Sequence, residues 1–212
     1  LAAGEVDAFC VGEPMGSVAV ERGAGRLLLA TSAIWSGAPE KVLAVREGWA
    51  EAEPDLAGRL VRAIWRAGRW LGQRENLAVA SEILAAPGRL RVSAEVIERS
   101  LTGRLVISDD GDERQVPGFL RFHDGAGFPW RSQAAWIGDR LAQRHGLDRD
   151  SAQAVAAAVF RSDLYRAHLG PSGADLPAAS AKLEGALAVP TPVASSRGKL
   201  TLPPDRFFDA QV

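Results

Sequence analysis

Two short segments near the start of the chain carry residues whose types suit the binding of a small anion. Gly12, Glu13 and Pro14 follow the apolar run 8–11, and Lys41 follows a Pro-Glu pair. A glycine lets backbone N–H groups approach a ligand closely, and a helix beginning at Pro14 would offer unpaired N–H groups and the positive end of its dipole. Lys41 adds a full positive charge on a flexible side chain. Glu13 opposes an anion unless its carboxylate turns outward or pairs with a base.

The elements expected to position these residues form a compact βαβ unit. Segments 8–11 and 26–31 are short apolar runs typical of buried strands, and segment 15–22 between them has apolar residues at helical spacing. Parallel sheets bind ligands at the carboxyl ends of their strands. Gly12 and the segment that leads to Lys41 both follow such ends. Ordinary turns explain the same residues, so local chemistry alone leaves both interpretations open.

Composition excludes several classes of function. The chain has 212 residues, a formal net charge of −1, 47% hydrophobic and 24% charged residues, values typical of a folded globular protein. This charge balance argues against nucleic acid or an anionic membrane as the main partner. One cysteine excludes an internal disulfide and a Cys-based zinc site. No run approaches the ~18 apolar residues of a spanning helix, and no cofactor or metal site is predicted.

The rest of the chain predicts a helix-rich α/β protein. One helix is expected from Asp55, its N-cap, to 71, a second after Asn76 to 84, and a third from Ser93 to Gly103. Two more are expected over 134–144 and 151–169. Segments 42–45 and 104–107 are predicted strands, and the acidic residues 108–112 favour a surface hairpin turn over a calcium loop. The aromatic residues between Phe119 and Trp136 favour packing over covering a ligand. The Pro- and Ser-rich residues 190–212 are expected to lie along the surface.

Five motifs occur in an order that resembles a known family. GEVDAFCVGEP, ATSAIW, PEKVL, GFPWRSQAAW and LPPDRFFD are similar to motifs of the nitrate/bicarbonate-binding proteins, the solute-binding components of ABC transporters, and of their soluble nitrate-sensor relatives. The resemblance implies the C-terminal portion of a type II periplasmic-binding-protein-like fold with two lobes. Residues 1–41 would finish the second lobe, 42–189 would return to the first, and 190–212 would form an extended tail. The preceding half would add an aromatic residue, an amide and a histidine to the cleft.

The resemblance also implies the ligand. Gly12 and Lys41 match two ligand positions of the family, and Glu13 is included with them as a candidate ligand-binding residue. In the bicarbonate branch an acidic residue that recruits calcium takes the place of Lys41, so the lysine favours nitrate or nitrite. The sequence departs from the family at Met15, where tryptophan is common, and at Gly127, where asparagine is usual.

Three functions follow from the resemblance. The first is nitrate binding in the periplasm for an ABC transporter permease. The second is a cytoplasmic nitrate sensor that controls an RNA-binding antiterminator, a branch that FRSDLYRAHLG also fits. The third is an enzyme of the pyrimidine-precursor or desulfinase type. Its only plausible nucleophile is Cys10, expected to be buried and inert, and His123 has no partner, so no catalytic residue is predicted.

Overall fold

Helices carry most of the regular structure. A computed structural model describes residues 1–122 and 125–209. The helices are α1 (Met15–Glu21), α2 (Trp49–Ala52), α3 (Pro54–Leu71), α4 (Leu77–Ala85), α5 (Ala94–Thr102), α6 (Arg131–His145), α7 (Arg149–Val159) and α8 (Ser162–Leu169). The strands are β1 (Arg104–Val106), β2 (Glu113–Gln115), β3 (Ala186–Leu187), β4 (Thr191–Pro192), β5 (Thr201–Leu202) and β6 (Asp205–Arg206). None of the helices among these described residues is long and apolar enough to cross a bilayer.

The chain divides into two units by its internal contacts. The first unit consists of residues 1–33 and 69–122, and the second of residues 34–68 and 123–212. The first boundary between the units follows residue 33, eight positions before Lys41. The predicted assignment of segments to two lobes and a tail stays a prediction.

In the first unit, helix α5 packs against α4 and β1. Ser93 caps α5 by accepting a hydrogen bond from the Val96 N–H at 3.3 Å, and Gly103 ends it with φ of +72°. Both predicted ends of this helix are therefore confirmed, because an N-cap acceptor and a left-handed glycine satisfy backbone groups that the helix leaves unpaired. The buried apolar residues of this unit lie on these elements and on α1: Val20, Leu77, Ala80, Val96, Ile97 and Leu105.

The predicted hairpin turn at 108–112 is also confirmed. Strands β1 and β2 pair antiparallel, with Leu105 opposite Arg114. The Ser108 hydroxyl donates to the Asp112 carboxylate at 2.9 Å, and the Ile107 N–H donates to the Asp112 carbonyl at 2.7 Å. These carboxylate and carbonyl oxygens therefore serve the turn.

The compact βαβ unit is wrong in its strands. Helix α1 forms as predicted, with Pro14 flanking it rather than starting it, but segments 8–11, 26–31 and 42–45 form no strand. Leu28 is 79% exposed, and the Leu27 N–H makes one backbone hydrogen bond, to the Ile107 carbonyl at 2.9 Å. A strand requires a ladder of partners, and the described residues provide none for these three segments.

The second unit contains the helical hairpin α6–α7. Asp148 caps α7 through the Ser151 N–H at 2.9 Å, so the helix begins at Arg149, two residues before the predicted start at 151. Gly138 packs closely on α7, because a Cβ there would lie 2.7 Å from the Ala152 carbonyl oxygen. Asp139 accepts a bidentate pair of hydrogen bonds from Arg149 at 2.7 and 2.8 Å, which fixes the angle of the hairpin further.

The single helix predicted for 151–169 is wrong. The chain leaves the helical conformation at Phe160 and begins α8 at Ser162. Arg161, at the break, binds the carboxylates of Asp163 and of Glu51 on α2. This long-range pairing across 110 residues is not visible in the helical periodicity of the sequence.

The C-terminal segment enters the core instead of lying along the surface. Leu200 and Leu202 are buried in one cluster with Phe128 and Trp130, against which Tyr165, Leu187 and Val193 pack. Strand β5 pairs with β4 and β6 with β3, each antiparallel. The expectation of a surface tail is therefore wrong for Leu200 and Leu202, whereas the expected packing role of the aromatic block is confirmed by Phe128 and Trp130.

Candidate functional site

Glu13 turns its carboxylate to the start of α1. This carboxylate accepts hydrogen bonds from the Ser17 N–H and the Ser100 hydroxyl, each at 3.2 Å. A Cβ at Gly16 would lie 2.8 Å from Glu13 Oε1, so the glycine leaves room for this arrangement. A negative charge at the amino end of a helix is stabilising. The Ser17 N–H is therefore already used by a carboxylate of the chain itself.

Gly12 is exposed and lies beside this cap. Its carbonyl accepts a hydrogen bond from the Met15 N–H at 3.2 Å, which forms the turn that leads into α1. Helix α1 is held to α5 by Ser100 and by an ion pair between Glu21 and Arg99. The turn at Gly12 therefore leads into a helix that α5 holds in place within the first unit.

Lys41 belongs to the second unit and lies in a segment without helix or strand. Its side chain is 73% exposed, and its ammonium pairs with the carboxylate of the adjacent Glu40. Exposed ion pairs of this kind contribute only about 0–1 kcal/mol, because water competes for both charges. An anionic ligand could therefore replace Glu40 at little cost.

A buried charge cluster lies behind the segment that leads to Lys41. We define it as Lys182, Glu184 and Asp205, whose side chains are 12%, 5% and 6% exposed. The Lys182 ammonium pairs with both carboxylates, and Ser132 donates a hydrogen bond to Glu184 at 2.6 Å. Burial raises the pKa of Glu184 above its ordinary value, while hydrogen bonds from Lys182 and Ser132 oppose that shift.

The charge cluster is joined to an aromatic cluster through Trp35. The indole N–H of Trp35 donates to Asp205 at 2.5 Å. The Trp35 ring lies 4.8 Å from that of Trp136 and 4.9 Å from that of Phe207, measured between centroids. Three family-like motifs, ATSAIW, GFPWRSQAAW and LPPDRFFD, thus meet in one buried arrangement.

Sequence reasoning missed this arrangement. It treated Trp35 and Asp205 only as parts of motifs, and it gave no role to Lys182 or Glu184. The available signal was the presence of polar residues within otherwise aromatic motifs. Their pairing could not be deduced, because Trp35 and Asp205 lie 170 residues apart in the chain.

Cys10 is exposed, so the expectation of a buried thiol is wrong. The reason is the absence of strand pairing at 8–11, which leaves Phe9 and Val11 nearly half exposed as well. The predicted candidate His123 lies outside the described residues. Within residues 1–122 and 125–209, no group of three His, Cys, Asp or Glu side chains is arranged to hold a metal ion.

The comparisons with known proteins agree with the motifs. A profile of the NMT1-like family matches residues 1–85. The nitrate import ATP-binding protein NrtC of Synechocystis sp. (strain ATCC 27184 / PCC 6803 / Kazusa) is 34% identical over 152 residues, which cover 70% of this chain and 22% of that protein. The nitrate/nitrite binding protein NrtA of Nostoc sp. (strain PCC 7120 / SAG 25.82 / UTEX 2576) is 29% identical over 183 residues, 84% of this chain and 41% of that protein.

The chain is related to the nitrate- and bicarbonate-binding proteins. The crystal structure of the periplasmic nitrate-binding protein NrtA from Synechocystis PCC 6803 matches with a TM-score of 0.76 at 24% identity, covering 92% of this chain and 50% of that one. The predicted type II periplasmic-binding-protein fold is thereby confirmed. Bicarbonate-binding proteins named CmpA are also similar, at 26% identity. The chain spans between 22% and 50% of the lengths of the proteins compared above.

Proposed function

We propose that the protein binds nitrate or nitrite as the solute-binding component of an ABC-type importer. The carrying observation is Lys41, an exposed ammonium that pairs with the adjacent Glu40 among the residues that the structure describes. Gly12, in the first unit, stays a candidate ligand-binding residue through its family-like motif. Glu13, tied to Ser17 and Ser100, would shape that turn while contributing its charge against anions that carry more than one negative charge.

The lysine favours an anion bound without a metal ion over bicarbonate bound together with calcium. An ammonium supplies one positive charge directly, whereas calcium requires several oxygen ligands and usually carboxylates. A lysine at position 41 would repel calcium rather than bind it. NrtC is named as a nitrate import protein and NrtA as a nitrate/nitrite binding protein, and these names support both the proposed ligand and the proposed role in import.

A binding role outside the cytoplasm is consistent with the relatives. The structural neighbour is described as periplasmic, and NrtC as an import ATP-binding protein. We propose that ligand binding is reported to the membrane components of the importer. The relatives compared here are named as binding and import proteins, so no catalytic step is assigned.

Replacing Lys41 tests the proposal. In the natural polypeptide that contains this chain, Lys41→Ala should weaken nitrate binding at least about tenfold, which corresponds to about 1.4 kcal/mol. Lys199→Ala is the matched control, since Lys199 is also exposed and also in the second unit. Titration calorimetry of both variants measures the effect. Equal nitrate affinity in Lys41→Ala and the unmodified protein would reject the role of Lys41.

A further inference from the structure

We propose that Asp205 is a positioning residue for Lys41, acting through Trp35 and the backbone of segment 34–37. The inference rests on the proposed function, because it takes Lys41 as a ligand-binding residue. Asp205, Trp35 and Lys41 all belong to the second unit. Asp205 would contact no ligand itself, and its effect would be to define where the Lys41 segment begins.

The first step is the backbone pairing of segment 34–37 with the C-terminal segment. The Ser36 N–H donates to the Arg206 carbonyl at 3.0 Å, and the Arg206 N–H donates to the Ser36 hydroxyl at 2.8 Å. The Phe208 N–H donates to the Ile34 carbonyl at 2.8 Å. Trp35 thereby forms an antiparallel bridge with Phe207. Segment 34–37 is thereby held beside residues 206–208 by these hydrogen bonds around a single-residue bridge.

The opposite edge of the C-terminal segment is held as well. Strand β6 pairs with β3, and the Phe207 N–H donates to the Gly185 carbonyl at 3.1 Å. A side chain at Gly185 would overlap the Phe207 ring, and its φ is +70°. Residues 205–208 therefore lie between segment 34–37 and β3, and they cannot shift without breaking bonds on both sides.

The second step is the side-chain contact of Asp205. One carboxylate oxygen accepts from the Trp35 indole N–H, and the other pairs with the Lys182 ammonium. Asp205 is 4% exposed, and a Cβ at Gly37 would overlap its carboxylate. Gly37 therefore allows the carboxylate to reach Trp35 directly beneath the chain. A buried charge-assisted hydrogen bond is strong and directional, so it fixes both partners.

The charge cluster gives the Asp205 carboxylate a cationic partner. Lys182 lies 2.5 Å from Glu184 and also pairs with Asp205. The Lys182 ammonium also lies 5.9 Å from the centre of the Trp130 ring. A buried carboxylate without a cation would be costly, so the pair with Lys182 offsets the cost of burying Asp205 beside Trp35.

The third step is the short distance along the chain from this anchor to Lys41. The Ala38 N–H donates to the Trp35 carbonyl at 3.1 Å, which continues the defined conformation for one residue. Three residues lie between Gly37 and Lys41, so the four steps from one Cα to the other span at most about 14 Å when extended. A shift of Trp35 and Gly37 would therefore move the point from which the short segment to Lys41 extends.

A double-mutant cycle distinguishes positioning from a general loss of stability. Nitrate affinity is measured by tryptophan fluorescence at constant ionic strength for Asp205→Asn, for Lys41→Ala and for the double variant, in the natural polypeptide. Asp205→Asn should weaken binding about tenfold when Lys41 is present and less than about twofold when Lys41 is replaced. Asp175→Asn is the control, because Asp175 also holds the C-terminal segment, through the N–H groups of Arg197 and Lys199. It should change affinity by less than about twofold.

Each outcome has a separate meaning. The absence of nitrate binding in the unmodified protein overturns the proposed function, and an unchanged affinity in Lys41→Ala overturns the role of Lys41 in it. If Lys41→Ala weakens nitrate binding but Asp205→Asn does not, only the positioning role is overturned. The same holds if Asp205→Asn weakens binding equally with Lys41 present and with Lys41 replaced. If Asp205→Asn does not fold, Trp35→Phe replaces it, since this change removes the N–H donor and keeps an aromatic ring. Trp35→Phe should weaken binding in the same direction and show the same dependence on Lys41.

Discussion

At the scale of single residues, the surroundings of a charge decide what it can do. Glu13 and Lys41 are both charged candidate ligand-binding residues, but their side chains have different surroundings. Glu13 is occupied by the start of α1 and by Ser100, whereas Lys41 faces water beside Glu40. The sequence could suggest the lysine by its charge. It could not show that the glutamate accepts hydrogen bonds from a serine 87 residues away.

Cys10 provides a prediction at this scale. Because the thiol is exposed, it should react with Ellman's reagent in the folded protein at a rate within about tenfold of that in urea. The chain has one cysteine, so the absorbance reports this site alone and Cys10→Ser serves as the blank. A thiol that becomes reactive only after unfolding would contradict the exposed conformation of segment 8–11.

At the scale of elements, features decided by neighbours in sequence were predictable, and pairings between distant segments were not. Ser93 and Gly103 mark the ends of α5 because capping is decided by neighbours in sequence. The strand predicted at 104–107 forms as β1, whose partner β2 is close in sequence, whereas segments 8–11, 26–31 and 42–45 have no ladder within the described residues. The pairing of segment 34–37 with the C-terminal segment was not predicted, because its partner is distant in the chain. Apolar runs such as 26–31 show only that a segment could be buried in a sheet.

The break between α7 and α8 gives a pH-dependent prediction. The hydrogen bonds from Arg161 lower the pKa of Asp163 to about 2, from an ordinary value of 3.8. A carboxyl whose pKa is lowered by folding stabilises the protein above pH ~4 and loses that contribution as the pH falls towards 2. Since the pair is mostly exposed, the contribution is about 0.2–1 kcal/mol.

The Asp163→Asn protein should therefore have a smaller free energy of unfolding than the unmodified protein at pH 6, and the two free energies should converge near pH 2. Urea denaturation at a series of pH values measures the difference. Asp150→Asn, at an exposed carboxylate in the first turn of α7, is the control for losing one negative charge. A difference between Asp163→Asn and the unmodified protein that stays constant from pH 6 to 2 would show that Arg161 does not stabilise the charged form of Asp163.

At the scale of the whole molecule, the order of motifs predicted the fold better than any single pattern did. The five motifs gave the family resemblance and the fold, which the comparisons confirm. They could not reveal that Trp35, Trp136 and Phe207 pack together or that Lys182 joins two buried carboxylates. Such contacts depend on how distant segments approach one another, which spacing within a motif does not encode.

The most direct test of the central claim compares two anions in one calorimetric experiment. The natural polypeptide that contains this chain is titrated with nitrate and with bicarbonate, each with calcium and with a chelator. A lysine at position 41 predicts nitrate binding at least about tenfold tighter than bicarbonate binding, with the same nitrate affinity in calcium and in chelator. If bicarbonate binds more tightly than nitrate and this binding disappears with the chelator, the proposed site for nitrate without calcium is contradicted.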